Sequence, residues 1–385
     1  MKHYLSGMML RFSKKLSLTL LVVFLSLYVS AQKKLIDKFF SGKKDTTRAS
    51  SFLPLPLIAY SQETGFEFGV LPVYAFYTNR SDTITRSSTI SALASFTTEK
   101  QSSFYIKSDV WLPDNRYHFT TEIRYKDFPV NFYGVGSNTL EANKEFIDQS
   151  LFRLKGEIEK RFGRSFTGLT LSYENYQFSD RQAGGAYPAG IFDADGGKVI
   201  FAGISQIIDN RNSNTYPTSG VYLKLNYSYA PELFGNSNFE GRQTKLDIRN
   251  FKSLNKKTVL GINGVYQTIQ GTRAPFYLMP QLGNEMIMRG YYTGRYRDQN
   301  LMALQAEVRY RFIPGLGATA FLAGGTVYSN RNLSIKNIKP ALGAGLRYFY
   351  DIDRGLSVRA DYALGEKRPN EKRQSGFYLS LGEAF

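Results

Sequence analysis

Cysteine is absent from this chain of 385 residues, tryptophan occurs once and histidine twice. Without thiols there can be no disulfide, no iron–sulfur cluster, no thiolate zinc site and no lipid anchor on an N-terminal cysteine. His3 lies in an export segment described below, which leaves His118 as the single imidazole of the remainder. No His/Cys cluster can therefore hold a transition metal, and neither a metal nor another cofactor is expected. Long apolar runs are missing too. Beyond Val29 no segment approaches the ~20 consecutive apolar residues of a spanning helix, and mean hydropathy is −0.30. A helical membrane protein is excluded.

Tyrosine and phenylalanine are plentiful instead, at 27 and 29 residues, and the formal net charge is +17. Removing the four cations of the export segment leaves +13, since that segment carries no acid. Such a balance invites a nucleic-acid reading. The cations are dispersed along alternating segments of an exported chain, so no nucleic-acid partner is expected.

The export segment is residues 1–31. Lys2, Arg11, Lys14 and Lys15 form its basic region, Leu16 to Val29 its apolar stretch, and Val29-Ser30-Ala31 a small-residue cleavage site that predicts a mature start at Gln32. Residues 32–52 follow as a short basic lead with the apolar pairs Leu35-Ile36 and Phe39-Phe40, read as a periplasmic tail or plug. It is shorter than the ~50 residues at which folded domains begin.

From 53 to 385 the chain repeats one unit, an alternating run of about ten residues followed by a turn. In Leu301 to Phe312, Gln305, Glu307, Arg309 and Arg311 share one face, and Ala306, Val308, Tyr310 and Phe312 the other. The expected fold is all-β, a transmembrane antiparallel β-barrel of about sixteen strands, with lipid outside and polar residues inside. The expected strands run from 53–61 to 375–385 and include 151–162, 166–176, 299–312 and 354–364. If both ends are periplasmic, the long connections 126–150, 177–197 and 270–298 all fall outside the cell, opposite short turns such as Asp351-Ile-Asp353. That asymmetry is the barrel pattern. The last segment ends Phe377-Tyr-Leu379-Ser-Leu381-Gly-Glu-Ala-Phe385. Its Phe377, Leu379, Leu381 and Phe385 are assigned to one outward face, like the terminal strand by which outer-membrane barrels are recognised.

Inward positions carry Lys107, Arg124, Arg153, Lys155, Arg161, Lys224, Lys245, Arg249, Arg309, Arg311, Arg347 and Arg359. Facing them stand Asp109, Glu122, Glu157, Glu159, Glu174, Asp247, Glu307 and Asp361. Such a lumen is either wet or cross-braced by ion pairs, and it leans basic.

Three segments resemble the bacterial surface-antigen superfamily, which holds barrel insertases of the BamA/TamA type and the translocators of two-partner secretion. The first is Met288-Arg289-Gly290-Tyr291 in the sixth extracellular connection. The second is the turn from Asp209 to Gly220, with Arg211 and Pro217, similar to the family's Asp-x-Arg…Pro-Thr-x-Gly. The third joins Glu307-Val-Arg-Tyr310, Gly345-Leu-Arg-Tyr348, Arg359-Ala-Asp-Tyr362 and the terminal strand. The resemblance covers about Ile207 to Phe385. It implies that the Arg-Gly-aromatic tip folds back into the lumen, where an arginine fork needs a carboxylate. Ala323 stands where the family commonly has an aspartate, so Glu307 and Asp361 are the expected partners of Arg289. Arg295, further along the loop, is expected to matter little. The lead is too short for the family's POTRA repeats, and the resemblance is to reduced, POTRA-less barrels of Bacteroidetes-type Gram-negative bacteria.

Catalytic patterns are lacking. His118 is expected inward beside Glu122 and Arg124, with no serine in a nucleophile setting near it in sequence. Asp193-Ala-Asp-Gly-Gly197 reads as a turn rather than a calcium loop, because no later glutamate completes it. Gly315-x-Gly317 belongs to a hairpin. No enzymatic activity is expected. The function implied by the resemblance is insertion or translocation of polypeptide or lipid at the outer membrane. Its partners would be outer-membrane lipid, periplasmic accessory proteins or unfolded barrel clients. The alternative is a stand-alone pore or structural barrel whose basic lumen favours anions.

Overall fold

The computed structural model describes residues 48–61, 64–179, 193–235, 239–271, 273–352 and 355–385. The export segment and most of the basic lead lie outside the described residues. So does Asp353 of the turn expected after Tyr350.

The chain enters the wall with β1 (Ser51–Ser61), β2 (Gly65–Phe76), β3 (Ser88–Thr97), β4 (Ser102–Trp111) and β5 (Tyr117–Asp127). A short β6 (Val130–Phe132) precedes β7 (Glu145–Phe162), β8 (Ser165–Ser179), β9 (Gly196–Asp209), β10 (Gly220–Ala230), β11 (Gly241–Ser253) and β12 (Thr258–Gly271). Two-residue strands β13 (Gln281–Leu282) and β14 (Tyr296–Arg297) pair with each other inside one long connection. The wall resumes with β15 (Asn300–Ile313), β16 (Leu316–Tyr328), β17 (Lys339–Asp351), β18 (Leu356–Leu364) and β19 (Ser375–Leu381). Each wall strand pairs antiparallel with its sequence neighbour, β5 with β7 and β12 with β15 across their loops. β1 meets β19 to complete a barrel of sixteen strands. No α-helix occurs among the described residues.

Alternation explains why these segments pair this way. With side chains at period two, one set of Leu, Ile, Val and aromatic residues faces out: Leu322, Leu169 and Leu346 are each about two-thirds exposed. In lipid this is burial, and the closed ladder satisfies the backbone groups that lipid cannot. Outward aromatics gather toward strand ends, with Tyr310, Phe312 and Tyr348 at one rim and Phe66, Phe96 and Phe104 at the other. Connections 128–144, 180–195 and 272–299 leave one rim, assigned as extracellular, while turns 163–164, 254–257 and 314–315 and the ends Arg48 and Phe385 lie at the opposite one.

Two segments depart from expectation. β7 begins at Glu145, six residues before 151, and its upper part pairs with Val130–Phe132 above the wall. The polar run 148–150 concealed this, although Phe132 and Ile147 are fully buried under the extracellular loops. There they join Phe178, Phe201, Phe239 and Phe276 in a dome over the lumen. The terminal strand stops at Leu381 rather than 385. Phe377 and Leu381 face out, but the chain bends at Gly382 (φ +74°) and carries Phe385 inward against Phe251. Phe385 therefore does not share the outward face assigned to it. Its partner is an arginine described below, which outcompetes lipid for the end of the segment.

Leu322→Arg, in the middle of β16 on the lipid face, should lower barrel stability by about 2–4 kcal/mol. Tyr310→Arg, near the rim, should cost only about 0–1 kcal/mol. Urea unfolding midpoints in lipid vesicles separate the two outcomes.

Candidate functional site

The connection between β12 and β15 does not stay outside. Its first limb packs Phe276, Tyr277 and Leu278 into the dome. Its middle then descends, and Met288, Tyr291, Leu282 and Tyr296 are buried against Leu301, Ala303, Ala323 and Val327 of the wall. The tip turns sharply. Met288 has φ +54° and Gly290 φ +105°, and the second of these excludes any side chain without strain. Gly290 donates its N–H to the Tyr378 hydroxyl at 2.9 Å. The Tyr291 hydroxyl donates to the Pro340 carbonyl at 2.5 Å and accepts the Glu366 N–H at 2.8 Å.

This geometry places Arg289 against the inner face of β15, β16 and β18, fully buried. One terminal nitrogen lies 2.6 Å from Asp361 Oδ2 and the other 2.6 Å from Glu307 Oε2. Its guanidinium lies 3.5 Å above the Phe321 ring. Ala323, one inward position further along β16, packs with Met288 instead of supplying charge. The network extends beyond these three residues. Arg309 meets Glu307 at 2.7 Å and the Phe385 carbonyl at 2.8 Å, while Arg347 meets Asp361 at 2.5 Å and Glu383 at 2.8 Å. Arg359 reaches Asp361 at 3.1 Å and Glu285 of the descending loop at 3.3 Å. Glu285 also accepts from the Ser380 hydroxyl on β19. Four guanidiniums and four side-chain carboxylates thus meet in one network on the inner face of the wall.

Glu285 escaped the sequence reading because it lies in a loop, and Glu383 because an unbroken strand 375–385 would place it on the outward face with Leu381 and Phe385. The one available signal was Gly382, a bend placed just before Glu383. Arg295 is a correction. It is fully buried, with Glu371 at 2.9 Å and Glu141 at 3.1 Å, and its guanidinium faces the Tyr133 ring at 4.5 Å. It ties the loop to two other extracellular connections, so its position outside the tip motif does not make it a free surface arginine.

The turn motif sits at the opposite rim. Asp209 receives a forked pair of hydrogen bonds from Arg211 (2.9 and 3.1 Å) and lies 3.3 Å from Arg86. Pro217 is buried, and beside it Tyr216 meets the Phe349 ring edge-on at 5.1 Å. Gly220 has φ +105°, and a Cβ there would stand 2.6 Å from the Asn210 carbonyl oxygen. The fork and the tucked aromatic fold this turn beneath the lumen, below Arg309 and Arg311.

Most of the remaining inward charges are cross-braced. Arg124 pairs with Glu122 at 2.7 Å, Arg153 with Glu174 at 3.1 Å, Lys155 with Glu157 at 2.6 Å and Arg249 with Asp247 at 2.6 Å. A cavity of about 280 Å³ remains beside the loop, lined by Arg153, Lys224, Lys245 and Ile287 among others. His118 is not beside Glu122 and Arg124. It lies between Glu159 (2.7 Å) and Asp109 (3.2 Å) and stacks on Trp111 at 3.7 Å. The reason is the strand rise: residues four apart on β5 stand about 13 Å apart, whereas cross-strand neighbours touch. Asp193 forms a turn, its carboxylate accepting from the Tyr277 hydroxyl at 3.3 Å, and burial pushes its acid up to about 6. Among the described residues no group of three or more His, Cys, Asp or Glu could hold a metal.

Removing one partner of a buried ion pair costs about 3–5 kcal/mol. Arg289→Ala should show such a loss in urea midpoint and a lower temperature for the shift in electrophoretic mobility on heating. Combining it with Glu307→Gln should cost clearly less than the two single losses added together. Arg295→Ala should also destabilise, by about 1–3 kcal/mol, because it leaves the Glu371 carboxylate with the Glu141 N–H but no cation.

Comparison with known proteins agrees with this architecture. A family model described as the Omp85 superfamily domain matches residues 85–385. No curated protein matches the sequence. Among solved structures, BamA from Haemophilus ducreyi lacking POTRA domains 1–3 is similar with a TM-score of 0.59 at 12% identity, over 92% of this chain and 78% of that one. CdiB from Acinetobacter baumannii is similar at 0.56 and 13%, over 88% and 66%, and CdiB from Escherichia coli at 0.54 and 13%, over 86% and 63%. The chain thus spans under two thirds of either CdiB, and no POTRA domain is among its described residues. Sixteen antiparallel strands and a family match across the whole wall from β3 onward lead to one assignment: the chain belongs to the Omp85 superfamily of outer-membrane β-barrels.

Proposed function

We propose that this barrel inserts or translocates polypeptide or lipid at the outer membrane, and that it does so by parting the wall between β1 and β19. The observation that carries the reading is the seam. β1 and β19 share a single register pair, Tyr60 with Leu379, whereas β18 and β19 share seven and β7 and β8 fifteen. Most of the edge of β1 toward β19 is left without ladder partners. In lipid an unpaired edge is costly, and it is also a template to which an incoming strand can add. The charge network supports this reading, because it ties the loop and the β19 side of the seam to the wall of β15 to β18 and includes no residue of β1.

Outer-membrane lipid, periplasmic accessory proteins and unfolded barrel clients are the partners such an activity calls for. Cleavage after Ala31 would leave residues 32–52 as a periplasmic lead. The host would be a Gram-negative bacterium of the Bacteroidetes type, the setting of the reduced barrels that the sequence resembles. No step of this activity is enzymatic. The other reading, a pore favouring anions, draws on the basic lumen and the residual cavity beside the loop.

Tyr60→Cys with Leu379→Cys places two thiols in a chain that otherwise has none. Directly opposed antiparallel residues are about 4.5–5.5 Å apart at Cα, within disulfide reach. Oxidation should abolish insertion of an unfolded barrel client into vesicles holding the protein, and reductant should restore it. Full activity with the seam locked would sink the proposal. Steady anion-selective conductance in planar bilayers, unaffected by the lock, would favour the pore.

A further inference from the structure

We infer a binding site for a neutral saccharide at the extracellular mouth, in a groove between three connections. Residues 133–139 form one side, Asp298 the floor and residues 328–337 the other side, enclosing about 430 Å³. That is within the ~300–1,000 Å³ range of small-ligand pockets.

The floor is the informative part. Asp298 is only 8% exposed. One carboxylate oxygen accepts the Gln299 N–H at 2.8 Å, and the structure gives the other no hydrogen bond or ion pair among the described residues. No arginine or lysine lines the groove. A buried carboxylate without a cation is costly unless donors reach it, and burial raises the proton affinity of this one. It is the kind of group that stands ready for a ligand's donors.

Above it the rim is made of amides. Asn138, Asn143, Asn332 and Asn337 all line the groove. Asn138 donates weakly to Asn337 at 3.4 Å, and the side chains of Asn143 and Asn332 make no hydrogen bond among the described residues. An amide presents two donors and an acceptor in one plane. A hydroxyl likewise donates and accepts, so a set of amides around one carboxylate matches adjacent ring hydroxyls. The groove wall is completed by Ser137, Thr139 and Ser329, whose hydroxyls can both donate and accept.

Other ligand classes fit less well. A divalent cation would find a single charged ligand, since no cluster of three acids occurs among the described residues. A phosphorylated sugar or other anion would meet Asp298 with no cation to offset it. A neutral hexose or disaccharide avoids both penalties, and the groove lies at the rim assigned as extracellular. This inference does not depend on the seam.

The test uses the full chain in a zwitterionic, sugar-free detergent, because a glycoside detergent would compete. Maltose, cellobiose, lactose and mannobiose serve as probes, read by saturation-transfer NMR and then by calorimetric titration. At least one should bind saturably, and Asp298→Asn should weaken it tenfold or more. Asn332→Ala, on an exposed loop, should weaken it several-fold with the heat-dependent mobility shift of the barrel unchanged. Absence of saturable binding by all four probes would overturn the site. So would equal binding by both variants, or binding of glucose 6-phosphate or calcium in preference to the neutral sugars.

Discussion

The pairing of buried charges inside the barrel governs this molecule. Four arginines, Arg289, Arg309, Arg347 and Arg359, converge with Glu307, Asp361, Glu383 and Glu285 within a few ångströms. Any of these groups but the half-exposed Glu285 would be costly there alone. Together they fix where the loop tip lies, how β15, β17 and β18 are registered against it, and where the end of the chain turns. The aromatic rings around them have a related role. Phe321 lies under Arg289, and Phe251 and Phe385 flank Arg309, covering guanidinium faces that hydrogen bonds cannot reach.

The same logic divides the lumen into two regions. On the side of β15 to β19 the loop fills the space, and the charges are buried and shared among several partners. On the side of β7 to β12 the charges line the residual cavity in short chains, Lys155 and Lys224 sharing Glu157 and Arg153 reaching both Glu122 and Glu174. A basic lumen therefore does not by itself describe an open channel. The excess of cations is partly absorbed by carboxylates from the loop and the terminal segment.

Much of the wall was legible in the sequence because period-two alternation is a local signal, enforced at every position by lipid on one side and polar groups on the other. Leu301 to Phe312 shows it without any tertiary information, and β15 follows it. The parity that placed Glu307 and Asp361 inward came from the same source. What could not be read arises where contacts are made across the ring or along it. His118 is held by strands on both sides, Glu159 from β7 and Asp109 from β4. Arg295 is secured by Glu371 and Glu141, residues 76 and 154 positions away in the chain. Phe385 is drawn inward because Arg309 offers its carbonyl a donor. Alternation places Asp109, Glu159 and Arg309 inward, but which residue each one meets leaves no periodic trace.

The two edges at the seam are mechanically unequal. β19 is bound to the inserted loop through Tyr378, which accepts the N–H of Gly290, and through Ser380, which meets Glu285. It therefore moves with the loop, and the loop is clamped to the rigid sector of β15 to β18. β1 is paired along its full length to β2 alone, eleven residues against eleven. The hairpin of β1 and β2 is then the compliant element, a flap on a stiff frame. Strain arriving at the seam concentrates at its far side, where β2 meets β3 through eight residue pairs with a gap between Val70 and Val73.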